Sequence, residues 1–538
     1  MRIAPARAPL DAAPLTAWAR GVAVGLLLLH GVLAWLLRAP MLRTGNDDAT
    51  YLLLARSLRQ FSYRDIHIFG APVHSQYPPA YPALLALTGG GLGLDLTWPS
   101  LTSVALSTIA LALIFDLARR VMPIGFALVL LTLLAINAPL LSYAGAVRSE
   151  IPYATFSIAA IWAFSVWPSS RKALRAGAIL ALLAGLTRSI GATLLGAIVL
   201  YWLSERRYRE AIGFALASTL TLGAWIAWNF LAPVQFARRS YAVLATTVDP
   251  SLVDKPWIIL MNRLERFGTV YALSFPANLS VPSLEGQWID NVFWLGLIVL
   301  LVGVGCYASW RRAPLVGIYL VSYVVFLALW PTKLSRFIVP IVPIVLLLFA
   351  WGASAIADRW RHRAVVAGFA VIALLLVGEA VSETGARLRA GNNCDPAAVV
   401  VSPSCPSVDE QSFYRLMEYV RTELPESAVV VTTKEATLGI FTGHRVMHPD
   451  MALARFGADF LPALRTGGIE YLVINPLVPS PLPGTLLPRC RVLELVQDFP
   501  PRTALLRLRA DSSAAPDPQA CAVIARLATD TTWLGNAS

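Results

Sequence analysis

The chain has few charged residues: only 14% of its 538 residues are Asp, Glu, Lys or Arg, whereas 57% are hydrophobic. A soluble domain typically carries about 25% charged residues, so this deficit excludes an ordinary soluble protein and predicts a polytopic membrane protein. The net charge of +12 comes from basic residues grouped in twos and threes between apolar runs, with no nucleic-acid-binding motif. We therefore attribute much of this charge to anchoring at the inner membrane face.

Cysteine is also scarce, and its five copies form neither a CxxC pattern nor a spacing with histidine that would predict a zinc site. Cys306 lies within an apolar run and is interpreted as a small buried thiol. The other four lie in the polar C-terminal part, where three pairings are open. We expect the pairs Cys394–Cys405 and Cys490–Cys521, whose members are neighbours in sequence. Disulfides would place this part of the chain in an oxidising compartment.

A cleavable signal and internal repeats are absent as well. Arg2, Arg7 and Arg20 lead into a span that is too long for a signal core and lacks a small-residue cleavage site. We therefore expect this first span to be retained. No low-complexity tract interrupts the rest of the chain.

Long apolar runs dominate from residue 21 to residue 381, and they predict about eleven membrane-spanning helices. The predicted spans are residues 21–37, 97–115, 121–141, 151–167, 173–187, 189–203, 211–230, 292–309, 315–330, 337–357 and 364–381. The run 173–203 is split at Arg188, because a single helix would bury this side chain near mid-membrane at a cost of about 2.5–3.5 kcal/mol. A single helix would also reverse the side of every later basic loop.

The short loops between the spans carry charge asymmetrically. Basic residues cluster on one side, in the loops that contain residues 119–120, 171–175, 206–209, 311–312 and 359–363. The opposite short loops hold only Arg148, Arg188, Lys333 and Arg336. Basic short loops stay in the cytoplasm, so we predict a cytoplasmic N-terminus and an extracytoplasmic C-terminal domain. The disulfides expected in the C-terminal part independently favour the same orientation, because they form outside the cytoplasm.

Composition divides the chain into a membrane domain, residues 1–382, and a mixed α/β domain, residues 383–538. Short β-branched runs in the second domain predict strands, and 408–424 predicts a helix. The strand predictions are 428–432, 471–474, 492–496 and 504–508. Two outer loops are long, and the first, 38–96, predicts interfacial helices at 49–60 and 80–87. The second, 231–291, contains an amphipathic stretch at 257–267.

An acidic pair, Asp47 and Asp48, follows the first span at the membrane surface. Carboxylates are rarely placed there without a function, although two solvated loop aspartates are the alternative. His67 and His74 lie in the same loop and leave a divalent metal open. Two histidines without a fuller ligand set usually indicate ordinary loop residues, so we predict neither a metal site nor a cofactor.

Several local patterns occur in a particular order and on the same predicted face. They are Asp47-Asp48 with Tyr51, Tyr77-Pro78-Pro79-Ala80-Tyr81-Pro82, Arg148-Ser149-Glu150, Gly185-Leu186-Thr187-Arg188 and Arg336-Phe337-Ile338-Val339-Pro340-Ile341-Val342-Pro343. Together they resemble the polyprenol-dependent glycosyltransferases of the GT-C superfamily, in particular the protein O-mannosyltransferase-like enzymes and the lipid A aminoarabinose transferases. The family usually has Glu where Asp48 stands. In the C-terminal domain, Gly443-His444-Arg445 followed by Pro449 resembles a turn that recurs in these proteins.

The resemblance implies a GT-C fold in a bacterial inner membrane and transfer of a sugar from a polyprenyl-phosphate donor. The acceptor would be an extracytoplasmic lipid, cell-wall glycan or protein. By resemblance Asp47 would be the catalytic base, and the remaining site residues would bind substrate. These are Asp48, Tyr51, Tyr77, Tyr81, Arg148, Glu150, Arg188, Lys333 and Arg336. The arginines and Lys333 would hold the phosphate, because a cation there meets phosphate at headgroup depth.

Structural roles stay open for several of these residues. Glu150 could pair with Arg148 or cap the following helix, and Arg188 could be a snorkelling residue. Lys333 and Arg336 could be anchors, and Tyr77 and Tyr81 could belong to an aromatic belt at the membrane interface.

Two other functions are also considered. A transporter or lipid flippase would require charges inside the spans or paired broken helices. A non-catalytic assembly factor would keep the fold but lose the acid at position 47, which is present.

Overall fold

The computed structural model describes residues 9–39, 42, 46–90, 93–231, 256–282, 288–331, 333–360, 363–392, 406–449, 451–452, 460–478, 480, 482–509 and 515–529. Helices dominate up to residue 392. They are α1 (Ala17–Leu36), α2 (Asp47–Arg59), α3 (Ala80–Leu87), α4 (Thr97–Val121), α5 (Ile124–Ala135), α6 (Ala138–Ala144), α7 (Glu150–Val166), α8 (Arg171–Thr187), α9 (Ala192–Ser204), α10 (Tyr208–Leu231), α11 (Pro256–Asn278), α12 (Trp288–Arg312), α13 (Pro314–Leu329), α14 (Val342–Trp360) and α15 (Arg363–Asn392).

Each predicted span overlaps helical structure in the described part of the chain, although 189–203 and 337–357 begin with 3-10 turns. Among the described residues, six helices are long and apolar enough to cross a membrane, and the bent pair α5–α6 makes a seventh when it is taken as one span. Shorter apolar helices lie at 150–166, 189–204 and 314–329. The length and composition of these elements are those of a polytopic membrane protein.

Two apolar runs are broken, and local sequence explains both breaks. The predicted break at Arg188 is confirmed: α8 ends at Thr187, and Arg188 has an extended backbone. The run 121–141, predicted as one span, is instead bent by 60° between α5 and α6. Asn137 accepts a hydrogen bond from the amide of Leu140 at 2.9 Å and so caps a new helix, which carries Pro139 in its first turn.

The basic loops gather at one end of the helix bundle. Arg120 donates to the carbonyl of Leu10 at 2.5 Å, and Arg312 donates to the carbonyl of Val121 at 3.1 Å. At the same end, Arg207 donates to the carbonyl of Pro168 at 3.1 Å. Since these loops contact one another and the N-terminal segment, the charge asymmetry of the sequence corresponds to a single end of the bundle.

Both long outer loops contain helices. The two interfacial helices predicted in the first loop correspond to α2 and α3, and α2 begins two residues earlier than predicted. The amphipathic stretch at 257–267 is only the first half of α11, which continues through Pro276 to Asn278.

The C-terminal domain is a mixed α/β unit built on one five-stranded sheet. Its elements are α16 (Val408–Glu423), β1 (Val429–Val431), α17 (Glu435–Thr442), β2 (Arg445–Met447), α18 (Phe460–Thr466), β3 (Tyr471–Ile474), α19 (Leu482–Leu486), β4 (Leu493–Phe499), β5 (Thr503–Leu508) and α20 (Pro518–Thr529). The strand order is β2-β1-β3-β5-β4, with β1 parallel to β2 and β3, and β5 antiparallel to β3 and β4.

The sequence predicted four of these five strands. It interpreted Gly443-His444-Arg445 as a turn, and only part of that segment is one. Gly443, with a φ of 80°, ends α17, but Arg445 already begins β2. This strand of three residues has too little periodicity to be recognised, and it forms because β1 supplies hydrogen-bonding partners.

The disulfide Cys490–Cys521 is confirmed, with a Cα–Cα distance of 5.1 Å. The second predicted pair, Cys394–Cys405, lies outside the described residues. Cys306 lies in α12 as a free, half-buried thiol. The predicted domain boundary at 382/383 falls inside α15, which continues to Asn392.

Candidate active site

Asp47 is the first residue of α2, so its carboxylate lies at the positive end of a helix dipole. One carboxylate oxygen accepts a hydrogen bond from the hydroxyl of Tyr77 at 2.7 Å. The other lies 2.5 Å from a guanidinium nitrogen of Arg336. Arg336 belongs to a short 3-10 turn, Ser335–Phe337, just before α14. Two of the predicted site residues therefore hold Asp47 directly.

The environment of Asp47 keeps it ionised. Burial is the largest influence and raises the pKa, but the positive charge of Arg336 and the hydrogen bonds from Tyr77 and Arg336 outweigh it. Arg148 adds a smaller effect in the same direction. The net result holds the pKa of Asp47 below its ordinary value of 3.8, so the group is a carboxylate near neutral pH.

A second ion pair lies beside the first. Glu150, at the start of α7, is 2.7 Å from Arg188, and its side chain is only 2% exposed. Arg188 also donates to the hydroxyl of Ser149 at 2.8 Å, and this hydroxyl lies 2.8 Å from that of Tyr51. Glu150 thus pairs with Arg188, and the alternative pairing with Arg148 is not found. The result is a buried network that joins α2, α7 and the break after α8.

Three tyrosine rings pack against one another beside Asp47. The ring of Tyr51 lies 4.8 Å from that of Tyr77 and 4.8 Å from that of Tyr81. Burial raises the pKa of Tyr51 and of Tyr81. Both phenols therefore stay protonated at neutral pH and are available only as neutral hydrogen-bonding groups.

Asp47 and Arg336 face an open cavity with an empty volume of about 580 Å³. Its polar wall combines Asp47, Tyr51, Tyr77, Arg188 and Arg336. The rest of the lining is mainly apolar and comes mostly from the end of α13 and the residue after Arg336. It contains Ile190, Phe326, Leu327, Trp330 and Phe337. A cavity that combines charged and apolar lining residues fits an amphiphilic ligand with an anionic head.

Five of the predicted site residues do not line this cavity. Glu150 contacts Arg188, and the ring of Tyr81 contacts that of Tyr51. Both residues therefore touch the cavity lining without belonging to it. Asp48 is buried and accepts a hydrogen bond from the amide of Ala49 within its own helix. The other two residues that do not line the cavity are the cations Arg148 and Lys333.

The guanidinium of Arg148 lies 5.3 Å from the ring centre of Tyr143. The ammonium of Lys333 donates to the carbonyls of Leu327 and Ala328, which are the last carbonyls of α13. Burial, followed by the nearby charges of Arg263 and Arg266, lowers the pKa of Lys333 to about 8. Lys333 therefore caps a helix end and does not point into the cavity.

Sequence reasoning missed the residues that orient Tyr77. A ring nitrogen of His74 lies 2.8 Å from the carboxylate of Asp65, and the other accepts the amide of Tyr77 at 2.8 Å. The hydroxyl of Tyr63 donates to the carbonyl of Tyr77 at 2.7 Å. His74 therefore has a positioning role, and the sequence carries no signal that distinguishes this from metal binding. Among the described residues no three His, Cys, Asp or Glu side chains converge.

The fold is similar to those of solved membrane enzymes. ArnT from Cupriavidus metallidurans in the apo state matches with a TM-score of 0.59 at 16% identity, over 93% of this chain and 100% of that chain. The same protein bound to undecaprenyl phosphate matches with a TM-score of 0.56 at 17% identity, over 93% and 100%. The oligosaccharyltransferase AglB from Archaeoglobus fulgidus, in complex with an inhibitory peptide and a dolichol-phosphate, matches with a TM-score of 0.53 at 13% identity, over 85% and 69%.

These likenesses confirm the GT-C fold that the sequence resemblance implies, a polytopic helical membrane domain followed by a C-terminal α/β domain. No protein-family model matches the chain, and no curated protein sequence matches it significantly.

Proposed function

We propose that this protein is a membrane glycosyltransferase that moves a sugar from a polyprenyl-phosphate donor to an acceptor outside the cytoplasm. The observation that carries the proposal is the joint position of Asp47 and Arg336 in one cavity whose remaining lining is largely apolar. Glycosyl transfer from a lipid phosphate requires a carboxylate for the acceptor hydroxyl, cations for the phosphate and an apolar surface for the prenyl tail. The cavity combines all three.

The reaction would be a single displacement. The acceptor oxygen attacks the anomeric carbon while the bond from that carbon to the phosphate oxygen breaks. The electron pair of the broken bond leaves with the polyprenyl phosphate, and Asp47 takes the proton of the acceptor hydroxyl. Arg336 and Arg188 face the leaving phosphate and stabilise its growing charge. Inversion at the anomeric carbon follows from the family resemblance.

The Asp47–Arg336 ion pair has a function in this scheme. An arginine that faces a carboxylate in the open cavity can exchange that partner for a phosphate, because its planar fork suits both anions. Donor binding would then draw Arg336 toward the phosphate and free an oxygen of Asp47. The basicity of Asp47 would rise as the charge of Arg336 is shared.

Known ligands of the similar structures support a polyprenyl-phosphate donor. ArnT binds undecaprenyl phosphate and AglB binds a dolichol-phosphate, which are two lipid phosphates with prenyl tails. A transporter would require charged groups inside the spans or paired broken helices around a substrate near the midplane. Here Asp47, Glu150, Arg188 and Arg336 lie instead at helix ends and turns.

The test compares Asp47→Asn with Asp48→Asn in a strain that lacks the chromosomal gene. We expect lipid-linked sugar to accumulate in the deletion strain, and Asp47→Asn to leave it accumulated, because loss of a general base typically lowers the rate about 10²–10⁴-fold. Asp48→Asn should restore most of the turnover, since Asp48 is buried and does not line the cavity. Purified Asp47→Asn should still bind undecaprenyl phosphate.

The outcomes separate the base assignment from the function. Near-parental turnover by Asp47→Asn together with an inactive Asp48→Asn or Glu150→Gln would show that Asp47 is not the base. Full turnover by all three variants, or a deletion strain with an unchanged set of lipid-linked sugars, would refute the glycosyltransferase proposal.

A further inference from the structure

Asn46 precedes Asp47 and has an unusual conformation. Its φ is 68°, in the left-handed region, and its side chain is 3% exposed. Although it stands at the N-cap position of α2, its side chain makes no capping bond to that helix. The amide oxygen of Asn46 instead accepts hydrogen bonds from the backbone amides of Ala436 at 3.0 Å and Thr437 at 3.2 Å. These amides belong to the first turn of α17 in the C-terminal domain.

Helix α17 has no side-chain cap from its own N-cap residue. The first amides of a helix have no partner within the helix, and a buried helix start must find acceptors elsewhere. The residue at the N-cap of α17 is Lys434, whose side chain makes no capping bond. Asn46 therefore supplies, from 390 residues away in sequence, the acceptor that a local N-cap residue normally supplies.

Two further contacts join the same loop to the C-terminal domain. Phe69 donates its amide to the carbonyl of Val446 at 2.8 Å, and Val446 donates to the carbonyl of His67 at 2.9 Å, so the loop pairs with β2. Gly439 in α17 allows a close approach, because a Cβ there would lie 2.8 Å from the Cβ of His67. The first outer loop is thus held along one face of α17 and the edge of the sheet.

We infer that Asn46 is a positioning residue, through which the C-terminal domain sets the direction of the Asp47 carboxylate in the cavity. The inference rests on the proposed function. The first turn of a helix frays unless its end is held, and Asp47 occupies that turn. Asn46 is held by α17 through its side chain and by α2 through its carbonyl, which accepts the amide of Thr50 at 3.0 Å. The C-terminal domain therefore acts on the cavity through this contact, without lining the cavity itself.

The primary test is Asn46→Gly in the full-length protein. Glycine adopts a φ of 68° without strain, so this change removes the contact with α17 and keeps the backbone conformation. Asn46→Asp is the conservative variant, because Asp also accepts from helix amides and suits a helix N-terminus. Gly439→Ala disturbs the same interface from the other side. Its matched control is Gly484→Ala in the same domain, where a Cβ would have no atom within 4 Å.

Three quantities are measured on each variant. They are the rate of lipid-linked sugar consumption in the deletion strain, the affinity of the purified protein for undecaprenyl phosphate, and hydrogen exchange of the peptides that contain α2 and α17. In Asn46→Gly we expect faster exchange at the start of both helices and a rate lower by roughly 10-fold to 100-fold, since a displacement of about 1 Å can have an effect of that size.

The affinity for undecaprenyl phosphate should change little in Asn46→Gly, because Arg336 and the apolar lining remain. Asn46→Asp should keep the parental exchange at the start of α17, as Asn and Asp are nearly equal in capping. Gly439→Ala should lower the rate, and Gly484→Ala should not.

Several results would overturn the inference. Parental turnover in Asn46→Gly, whatever the exchange of α2, would show that Asp47 does not depend on this contact. Unchanged exchange at both helix starts would show that Asn46 does not hold them. Either result leaves the proposed function standing as long as Asp47→Asn is inactive. An active Asp47→Asn would instead refute the base assignment itself.

Discussion

At the scale of single residues, the site contains two acid–base ion pairs that differ in exposure. Glu150 is 2% exposed and pairs with Arg188, so the loss of either partner would leave a buried charge unpaired, which typically costs about 3–5 kcal/mol. Asp47 and Arg336 are 17% and 25% exposed and face the open cavity. We therefore expect changes at Glu150 to affect folding first, and changes at Arg336 to affect the reaction first.

Arg336→Ala should alter the pH dependence of transfer as well as its rate. Loss of a charged contact to the leaving phosphate should cost about 2–4 kcal/mol in the transition state. Burial raises the pKa of Asp47, while Arg336, Tyr77 and Arg148 lower it. Without Arg336 this pKa rises. A general base is active above its pKa and loses activity as the pH falls below that value. The acidic limb of the pH–rate profile should therefore move to higher pH in Arg336→Ala.

The measurement is turnover of lipid-linked sugar in membrane vesicles between pH 4 and pH 8. The parental protein should show no acid limb from Asp47 above its ordinary pKa of 3.8. Arg336→Lys is the matched control: it retains the charge and should keep the parental profile, although it loses the planar fork. Unchanged turnover in a well-folded Arg336→Ala protein would show that Arg336 only anchors the chain at the membrane interface.

At the scale of secondary-structure elements, the contact between α12 and α14 depends on two glycines. A Cβ at Gly305 would lie 2.0 Å from the carbonyl oxygen of Leu348, and one at Gly352 would lie 2.0 Å from that of Leu301. Small residues allow such close approach of membrane helices, whose association depends on packing. The two helices therefore touch along their backbones.

Gly305→Ala should destabilise the membrane domain, because the added methyl group cannot fit and overpacking costs about 1–3 kcal/mol. Gly303→Ala is the matched control in the same helix, since a Cβ there would have no atom within 4 Å. Thermal unfolding of both detergent-solubilised proteins is the measurement. Equal unfolding temperatures would contradict the close contact of α12 with α14.

The disulfide Cys490–Cys521 joins α20 to the 3-10 segment Leu487–Val492. Cys521→Ser should lower the free energy of unfolding of the C-terminal domain by about 2–5 kcal/mol, as for other native disulfides. Limited proteolysis of the full-length protein in increasing urea measures this change. Cys306→Ser, which removes the free thiol in α12, is the control and should leave the C-terminal domain unchanged. Labelling of Cys490 and Cys521 in the unreduced parent would argue against the bond.

At the scale of the whole molecule, the position of the basic loops favours one orientation in the membrane. The basic loops that contact one another, near Arg120, Arg207 and Arg312, form one end of the bundle. Asp47, Arg188 and Arg336 meet around the cavity instead. Since basic short loops remain in the cytoplasm, we expect the cavity and the C-terminal domain to be extracytoplasmic.

Reporter fusions test this orientation. Alkaline phosphatase, which requires an oxidising compartment, should be inactive when fused after Arg207 and active when fused after Asn392. A fluorescent reporter that folds only in the cytoplasm should give the opposite pattern at the two sites. Activity of alkaline phosphatase after Arg207 would reverse the orientation and move the cavity to the cytoplasmic side.

The sequence by itself determined the features that depend on local chemistry. Hydropathy located the spans, the cost of burying Arg188 identified the break after α8, and sequence proximity indicated the bond between Cys490 and Cys521. The motifs named five residues that line the cavity and five that do not. Each of these inferences depends on a property of a short segment, such as its hydropathy, and this property does not depend on the rest of the fold.

Only the tertiary structure decided which of these residues meet. Asp47 and Arg336 are 289 residues apart, and their contact depends on how α2 packs beside the turn before α14. The same packing turns Lys333 toward the end of α13, contrary to the expectation that it faces the phosphate. It also brings Asn46 to the first turn of α17. Hydropathy and motif order carry no information on these contacts, because side-chain direction is set by the neighbours that the fold supplies.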